Sequence, residues 1–215
     1  MTCSQKARNM TQNPIDVRPP LEGYDIQCDT LIIGAGACGL VAALAAHEQG
    51  QSVLVVERDV IPRGSTALSA GLIPAAGTKF QREADITDSP KIFAADIQHK
   101  AKNENDQAIV DLIAENAGTV IEWLAGAHGL AFSVVTDFDY PGHSHRRMHG
   151  LPTRSGAELI DALRTACEAA EIDIICERHT QNLYYDGNKI TGASVKGPDG
   201  QSDTIECQKL ILACN

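Results

Sequence analysis

Three glycines and one carboxylate carry the chemistry this sequence announces first. Gly34, Gly36 and Gly39 follow the apolar run Thr30 to Ile33 and precede an alanine-rich stretch, Leu40 to Glu48. Glu57 lies 18 residues after Gly39, at the end of a second apolar run, Ser52 to Val56. A first glycine permits a tight turn out of a strand. A second, without a Cβ, lets a pyrophosphate lie on the backbone. A third lets the following helix pack closely. The N–H groups and the positive dipole end of that helix suit phosphate charge. A carboxylate at the end of the next strand accepts hydrogen bonds from a ribose diol and would repel a 2′-phosphate. Gly34, Ala35, Gly36, Ala37, Cys38, Gly39 and Glu57 are therefore expected to hold a dinucleotide.

These residues need a strand, a helix and a second strand. Thr30 to Ile33 is β-branched and apolar, as a strand buried on both faces requires. Gly50 stops the helix that begins near Leu40. The result is one βαβ unit of about thirty residues.

Bulk properties exclude several classes. The 215 residues suffice for one sizeable core. A net charge of −10 disfavours nucleic acid and an anionic membrane surface as partners. Leu31 to Ala46 is uncharged, yet at 16 residues with three glycines it is no membrane span. Seven cysteines, none in a C-x-x-C pair, fit a reduced, cytoplasmic setting.

After Glu57 comes Arg58 to Thr78, rich in Gly, Ser, Thr and Ala, with Leu68, Leu72 and Ile73 between them. Small residues let a backbone approach a flat ligand, and hydroxyls donate to phosphate or ring nitrogens. Gly34 to Thr78 resembles the amino-terminal part of the fumarate reductase/succinate dehydrogenase flavoprotein family, which includes L-aspartate oxidase and ketosteroid dehydrogenases. The family's small-residue loop wraps FAD. Its counterpart here is Arg63, Gly64, Ser65, Thr66 and Ser69, Ala70, Gly71, Leu72, with Arg63 and Leu72 where the family has glycine. The resemblance implies FAD as cofactor and adds Arg58, Gly64, Ser65, Thr66, Ser69, Ala70 and Gly71 to its site. Members with covalent FAD carry a histidine just before the loop threonine. Ser65 stands there, which implies non-covalent FAD.

Ser89 to Leu130 reads as helices. Ile109, Leu112, Ile113, Ala117, Val120, Ile121 and Leu124 recur as an apolar face, with Trp123 read as core. Phe138 to Ser155 groups His143, His145, Arg146, Arg147, His149 and Arg154 without a metal-ligand spacing. It resembles a G-H-S-x-x-R…H…G run of the L-aspartate oxidase branch. Two readings stay open: a solvated basic loop, or an anion-facing loop in which Arg146, Arg147 and His149 attract a carboxylate substrate. The remainder reads as strands at Asp173 to Glu177, Gln181 to Tyr185, Lys189 to Lys196 and Asp203 to Ala213, with turns at Asp186-Gly187-Asn188 and Pro198-Asp199-Gly200.

The expected fold is α/β: a Rossmann-like FAD-binding fold with a central parallel sheet, flanking helices and a small antiparallel meander. Residues 1–27 form a flexible lead-in and residues 28–215 the FAD-binding domain. The resemblance covers about the first half of a family member, so the chain reads as an amino-terminal fragment without the capping domain. No residue matches the family's catalytic arginine and histidine, and no catalytic residue is assigned. In a complete relative, hydride would pass between flavin and a small carboxylate or ketone. The expected partners are a small, anionic substrate and the missing carboxy-terminal half or an electron-transfer protein. Alternatives are a non-catalytic remnant that binds a nucleotide weakly, and an NAD-binding Rossmann domain.

Overall fold

A computed structural model describes residues 15–214. The chain divides into two units, one of Met1–Pro62 with Cys167–Asn215 and one of Arg63–Ala166. In chain order the first unit opens with β1 (Asp16–Arg18), β2 (Ile26–Ile33), α1 (Ala37–Glu48) and β3 (Val53–Val56). The second holds a 3-10 turn (Ser65–Leu68), β4 (Ile73–Pro74), α2 (Lys79–Glu83), α3 (Pro90–Lys100), α4 (Gln107–Ala127), β5 (Ser133–Val134), β6 (Met148–Gly150) and most of α5 (Gly156–Ala169). The first then resumes with β7 (Asp173–Ile175), β8 (His179–Tyr185), β9 (Ile190–Lys196) and β10 (Ser202–Leu212).

The first unit is built on a seven-stranded sheet in the order β1-β8-β9-β10-β2-β3-β7. β10, β2, β3 and β7 run parallel, and β8, β9 and β10 are antiparallel neighbours. The expected meander, β8 to β10, joins the parallel strands edge to edge through β10. Side chains alternate across the sheet. Leu31, Ile33, Leu54, Val56, Ala193, Val195, Ile205 and Cys207 form one buried cluster. Ile32 and Val55, from the alternate positions, are also fully buried. α1 packs against β2 and β3 and buries Gly39, Leu40, Ala43 and Leu44. β2 is therefore apolar on both faces, as its sequence demands.

The lead-in differs from expectation. β2 begins at Ile26, and Asp16–Arg18 pair in parallel with β8, Val17 opposite Leu183. The earlier part of the lead-in lies outside the described residues.

The second unit carries a three-stranded antiparallel sheet, β4-β6-β5, and a cluster of Ala76, Phe93, Ala94, Val110 and Ala114. The helical reading of Ser89 to Leu130 resolves into α3 and α4. Ser89 caps α3 through Ile92 N–H, and Asp106 caps α4 through Ala108 and Ile109 N–H. The expected apolar face of α4 holds at Ile121 and Leu124 and is corrected at its other large residues. Val110, Ala114, Gly118, Ile121 and Leu124 are its buried residues, whereas Ile109, Leu112, Ile113 and Val120 are exposed. Gly118 is the reason: a Cβ there would lie 2.9 Å from the Ala76 carbonyl oxygen. The side with the smallest side chains is the one backbone can approach. Trp123 is half-buried and meets His128 edge-on, ring centroids 4.7 Å apart.

Candidate dinucleotide site

The glycine-rich turn joins β2 to α1. Gly34 has φ +105°, and a Cβ on it would stand 2.8 Å from the Ala213 carbonyl oxygen. Its N–H donates to Val56 O at 2.8 Å, and Ala213 N–H donates to Ile33 O at 2.8 Å. The turn is thereby locked between β3 and the end of β10. Gly36 is the N-cap of α1 and accepts from Leu40 N–H at 3.0 Å. No side chain caps the helix and its first turn holds no acid, which leaves its positive end suited to an anion. A Cβ on Gly39 would lie 1.9 Å from the Gly34 carbonyl oxygen. The third glycine is thus required by the turn's own backbone.

Glu57 stands at the end of β3, 8% exposed. Its N–H donates to Ile175 O, and its carbonyl accepts from Arg178 N–H. Its carboxylate is engaged: Oε2 accepts the Ala35 N–H at 2.7 Å and Oε1 the Asp59 N–H at 2.9 Å. Of the expected cradle amides, the Ala35 N–H is therefore directed to Glu57. Ala35 is buried, Ala37 half-buried and Cys38 exposed. Arg58 is exposed, its Nε 3.4 Å from Asp59 Oδ1.

The small-residue loop belongs to the second unit. Gly64 has φ +52° and leads into the turn Ser65–Leu68. Ser69 Oγ donates to Thr66 O at 2.7 Å and accepts Gly71 N–H at 3.0 Å, and Gly156 N–H donates to Ser69 O at 2.9 Å. The Ser69 hydroxyl thus shapes the loop itself. Gly71 has φ +61°, and its Cβ would meet Ser155 O at 2.7 Å; a Cβ on Gly156 would meet Thr66 O at 1.8 Å. The loop is pressed backbone to backbone on the start of α5. Leu72 finds its room over Gly150, where an added Cβ would lie 2.6 Å from Leu72 Cδ2. Leu68 is 92% exposed.

Neither open reading of the basic segment describes Arg147 or His149. Both are fully buried. Arg147 Nε and Nη2 donate to the two oxygens of Asp88 at 2.9 and 3.1 Å, and Nη1 donates to Asp96 at 2.6 Å. Its guanidinium lies 4.9 Å from the centroid of Phe93. Burial raises the Asp96 pKa, but hydrogen bonds from Ser144 and Arg147 outweigh it and hold the carboxyl below its ordinary value. His149 Nδ1–H donates to Arg147 O at 2.9 Å, and Nε2 accepts from Thr78 Oγ1 at 2.8 Å. Burial lowers the His149 pKa. These two residues brace the second unit and are spent for an anionic ligand. Arg146 is exposed and paired with Asp139 at 2.6 Å. Among the described residues no group of three His, Cys, Asp or Glu could hold a metal ion, and no helix is long and apolar enough to cross a membrane.

The model of the FAD binding domain family matches residues 29–215. NADH:fumarate oxidoreductase of Klebsiella pneumoniae (strain 342) is 28% identical over 99% of this chain, which spans 22% of that protein. L-aspartate oxidase of Vibrio cholerae is 28% identical over 87% of the chain, which spans 37% of it. The open conformation of a flavocytochrome c3 fumarate reductase superposes with a TM-score of 0.81 at 28% identity, over 88% of this chain and 34% of that one. The NAD-binding alternative is set aside by the family match. A turn in which Gly34 and Gly39 admit no side chain, a strand-end carboxylate beside it, and a match over residues 29–215 make this chain a member of the FAD binding domain family.

Proposed function

We propose that the chain is the FAD-binding portion of a flavin-dependent oxidoreductase acting on a small carboxylate or ketone, and that it holds FAD without a covalent bond. The observation that carries this is the position of Glu57 at the end of β3, bonded to the turn that would cradle the pyrophosphate. Each Glu57 oxygen accepts one backbone N–H and keeps a lone pair for a ribose hydroxyl. Gly34, Gly36 and Gly39 give the phosphates backbone to lie on. The positive end of α1 offsets their charge. In the second unit, Gly64, Ser65, Thr66, Ser69, Ala70 and Gly71 are assigned to the same cofactor. Bound FAD would supply hydride chemistry; the chain supplies position and electrostatics.

Ser65 at the place of the linking histidine supports non-covalent attachment. The carboxylate substrate is supported by relatives named for fumarate and L-aspartate. A reducing compartment, the cytoplasm, is supported by seven cysteines scattered along the sequence without a C-x-x-C pair.

Titration of the purified chain with FAD and with NAD, followed by acid denaturation, tests the reading. FAD should bind saturably, resist displacement by NAD, and leave with the supernatant. Flavin fluorescence that stays with the denatured polypeptide would overturn the non-covalent assignment. Equal binding of NAD would overturn the cofactor.

A further inference from the structure

A cleft of about 670 Å³ opens in the second unit, lined by the chain just past α4, the turn after β6 and one face of α5. Pockets of that size hold small organic ligands. The α5 face is Glu158, Asp161, Ala162, Thr165 and Ala166, positions three and four apart that stack along a helix. Leu130, Leu151 and Ala166 are buried and Ala162 is half-buried, so part of the lining is aliphatic and favours an aliphatic body.

The polar lining sets the sign of the charge. Glu158 and Asp161 stand one turn apart on α5. Glu158 Oε2 accepts Thr153 N–H at 2.9 Å and the Thr153 hydroxyl at 2.6 Å, which leaves Oε1 for another donor. Asp161 meets Arg164 at 3.6 Å, a loose pair at the surface. Thr165 Oγ1 already donates to Asp161 O at 2.9 Å, so its hydroxyl retains only acceptor capacity. No lysine or arginine is among the described residues that line the cleft. An anion here, the small carboxylate of the proposed reaction included, would meet uncompensated negative charge, whereas an ammonium group would meet acceptors.

We propose that this cleft binds a small aliphatic ammonium compound, with its cationic head at Glu158 and Asp161 and its chain over Leu130, Leu151 and Ala162. The site lies within the second unit and stands whether or not the dinucleotide reading does.

The test uses the 215-residue chain at neutral pH and three probes of one chain length: hexylammonium, hexanol and hexanoate. Calorimetry measures affinity. Trp123, the single tryptophan, meets His128 edge-on, and His128 lines the cleft, so Trp123 emission reports where the probe sits. Hexylammonium should bind saturably and shift that emission. Hexanol and hexanoate should bind at least about tenfold more weakly. Glu158→Gln/Asp161→Asn should weaken hexylammonium about tenfold or more. An amide oxygen still accepts from Thr153, so thermal melts of this variant should match the parent. Ala162→Leu, which fills the cleft and touches no charge, should also weaken hexylammonium about tenfold. Absence of saturable binding, equal affinity for hexanoate, unchanged affinity in either variant, or binding that leaves Trp123 emission unmoved would each overturn the proposal.

Discussion

The Glu57 carboxylate accepts the backbone N–H of Ala35 at 2.7 Å, so the residue proposed to hold the ribose also braces the turn proposed to hold the phosphates. Glu57→Ala would remove both supports and leave the Ala35 N–H without its acceptor. FAD affinity should fall by about 1.5–3 kcal/mol, the range for hydrogen bonds to a charged group. Stability should fall as well, since Glu57 is buried and its other oxygen holds Asp59 N–H. Calorimetric titration and thermal melts of the same variant separate the two. Unchanged affinity would show that the ribose sits elsewhere.

Arg147 answers two carboxylates at once, and Asp88 beside it is fully buried. Arg147→Met should therefore cost about 3–5 kcal/mol, because it strands buried charge. Arg146→Ala, at an exposed pair with Asp139, should leave stability where it was. Urea unfolding of the two variants decides it. Comparable effects would mean that Arg147 is not the brace described.

Glycine positions separate the two parts of the proposed cofactor. Gly39→Val drives a side chain into the Gly34 carbonyl and should weaken ADP and FAD alike. Gly156→Val drives one into Thr66 O and distorts only the small-residue loop. It should weaken FAD by about tenfold or more while ADP affinity stays. A parallel loss of ADP binding in Gly156→Val would show that the loop serves the ADP half of the cofactor as well.

Stability should decline in mild acid. Burial keeps His149 below the ordinary histidine value of 6.5, and burial with the Arg147 charge does the same for His143, against the pull of Asp96 and Asp88. Below pH 6.5 the unfolded chain binds protons that these two rings refuse while folded. Their contribution is therefore complete above 6.5 and is lost as pH falls from there toward the depressed folded values. Melting temperatures between about pH 8 and pH 5 should show the decline, and His149→Gln should flatten it. A flat profile in the parent would rule the burial of these rings out as a determinant of stability.

The first unit was legible because its signals are local. The apolar run of β2, the three glycines, the alanine-rich helix and the strand-end Glu57 lie within about thirty residues, each stating its own conformation. Arg147 was not legible: Asp88 and Asp96, which turn it from a surface cation into a buried brace, lie 59 and 51 positions away. α4 was misread because periodicity weighs large residues most. Its buried side includes Ala114 and Gly118, small enough for backbone to approach, beside Val110, Ile121 and Leu124, while Ile109, Leu112 and Ile113 face out. α2 had a readable start in Thr78 and Gln81, which form a capping box, though five residues show no period.

The loop from Thr66 to Gly71 is gripped at both ends by one short piece of chain, Ser155 and Gly156. A segment clamped twice against the same dipeptide has no slack to take up an insertion or release a deletion. Its length is fixed to the residue, even where its side chains are free to change. An extra residue should be accommodated more readily at exposed turns such as Asp186 to Lys189 and Gly197 to Gln201, where it displaces only solvent.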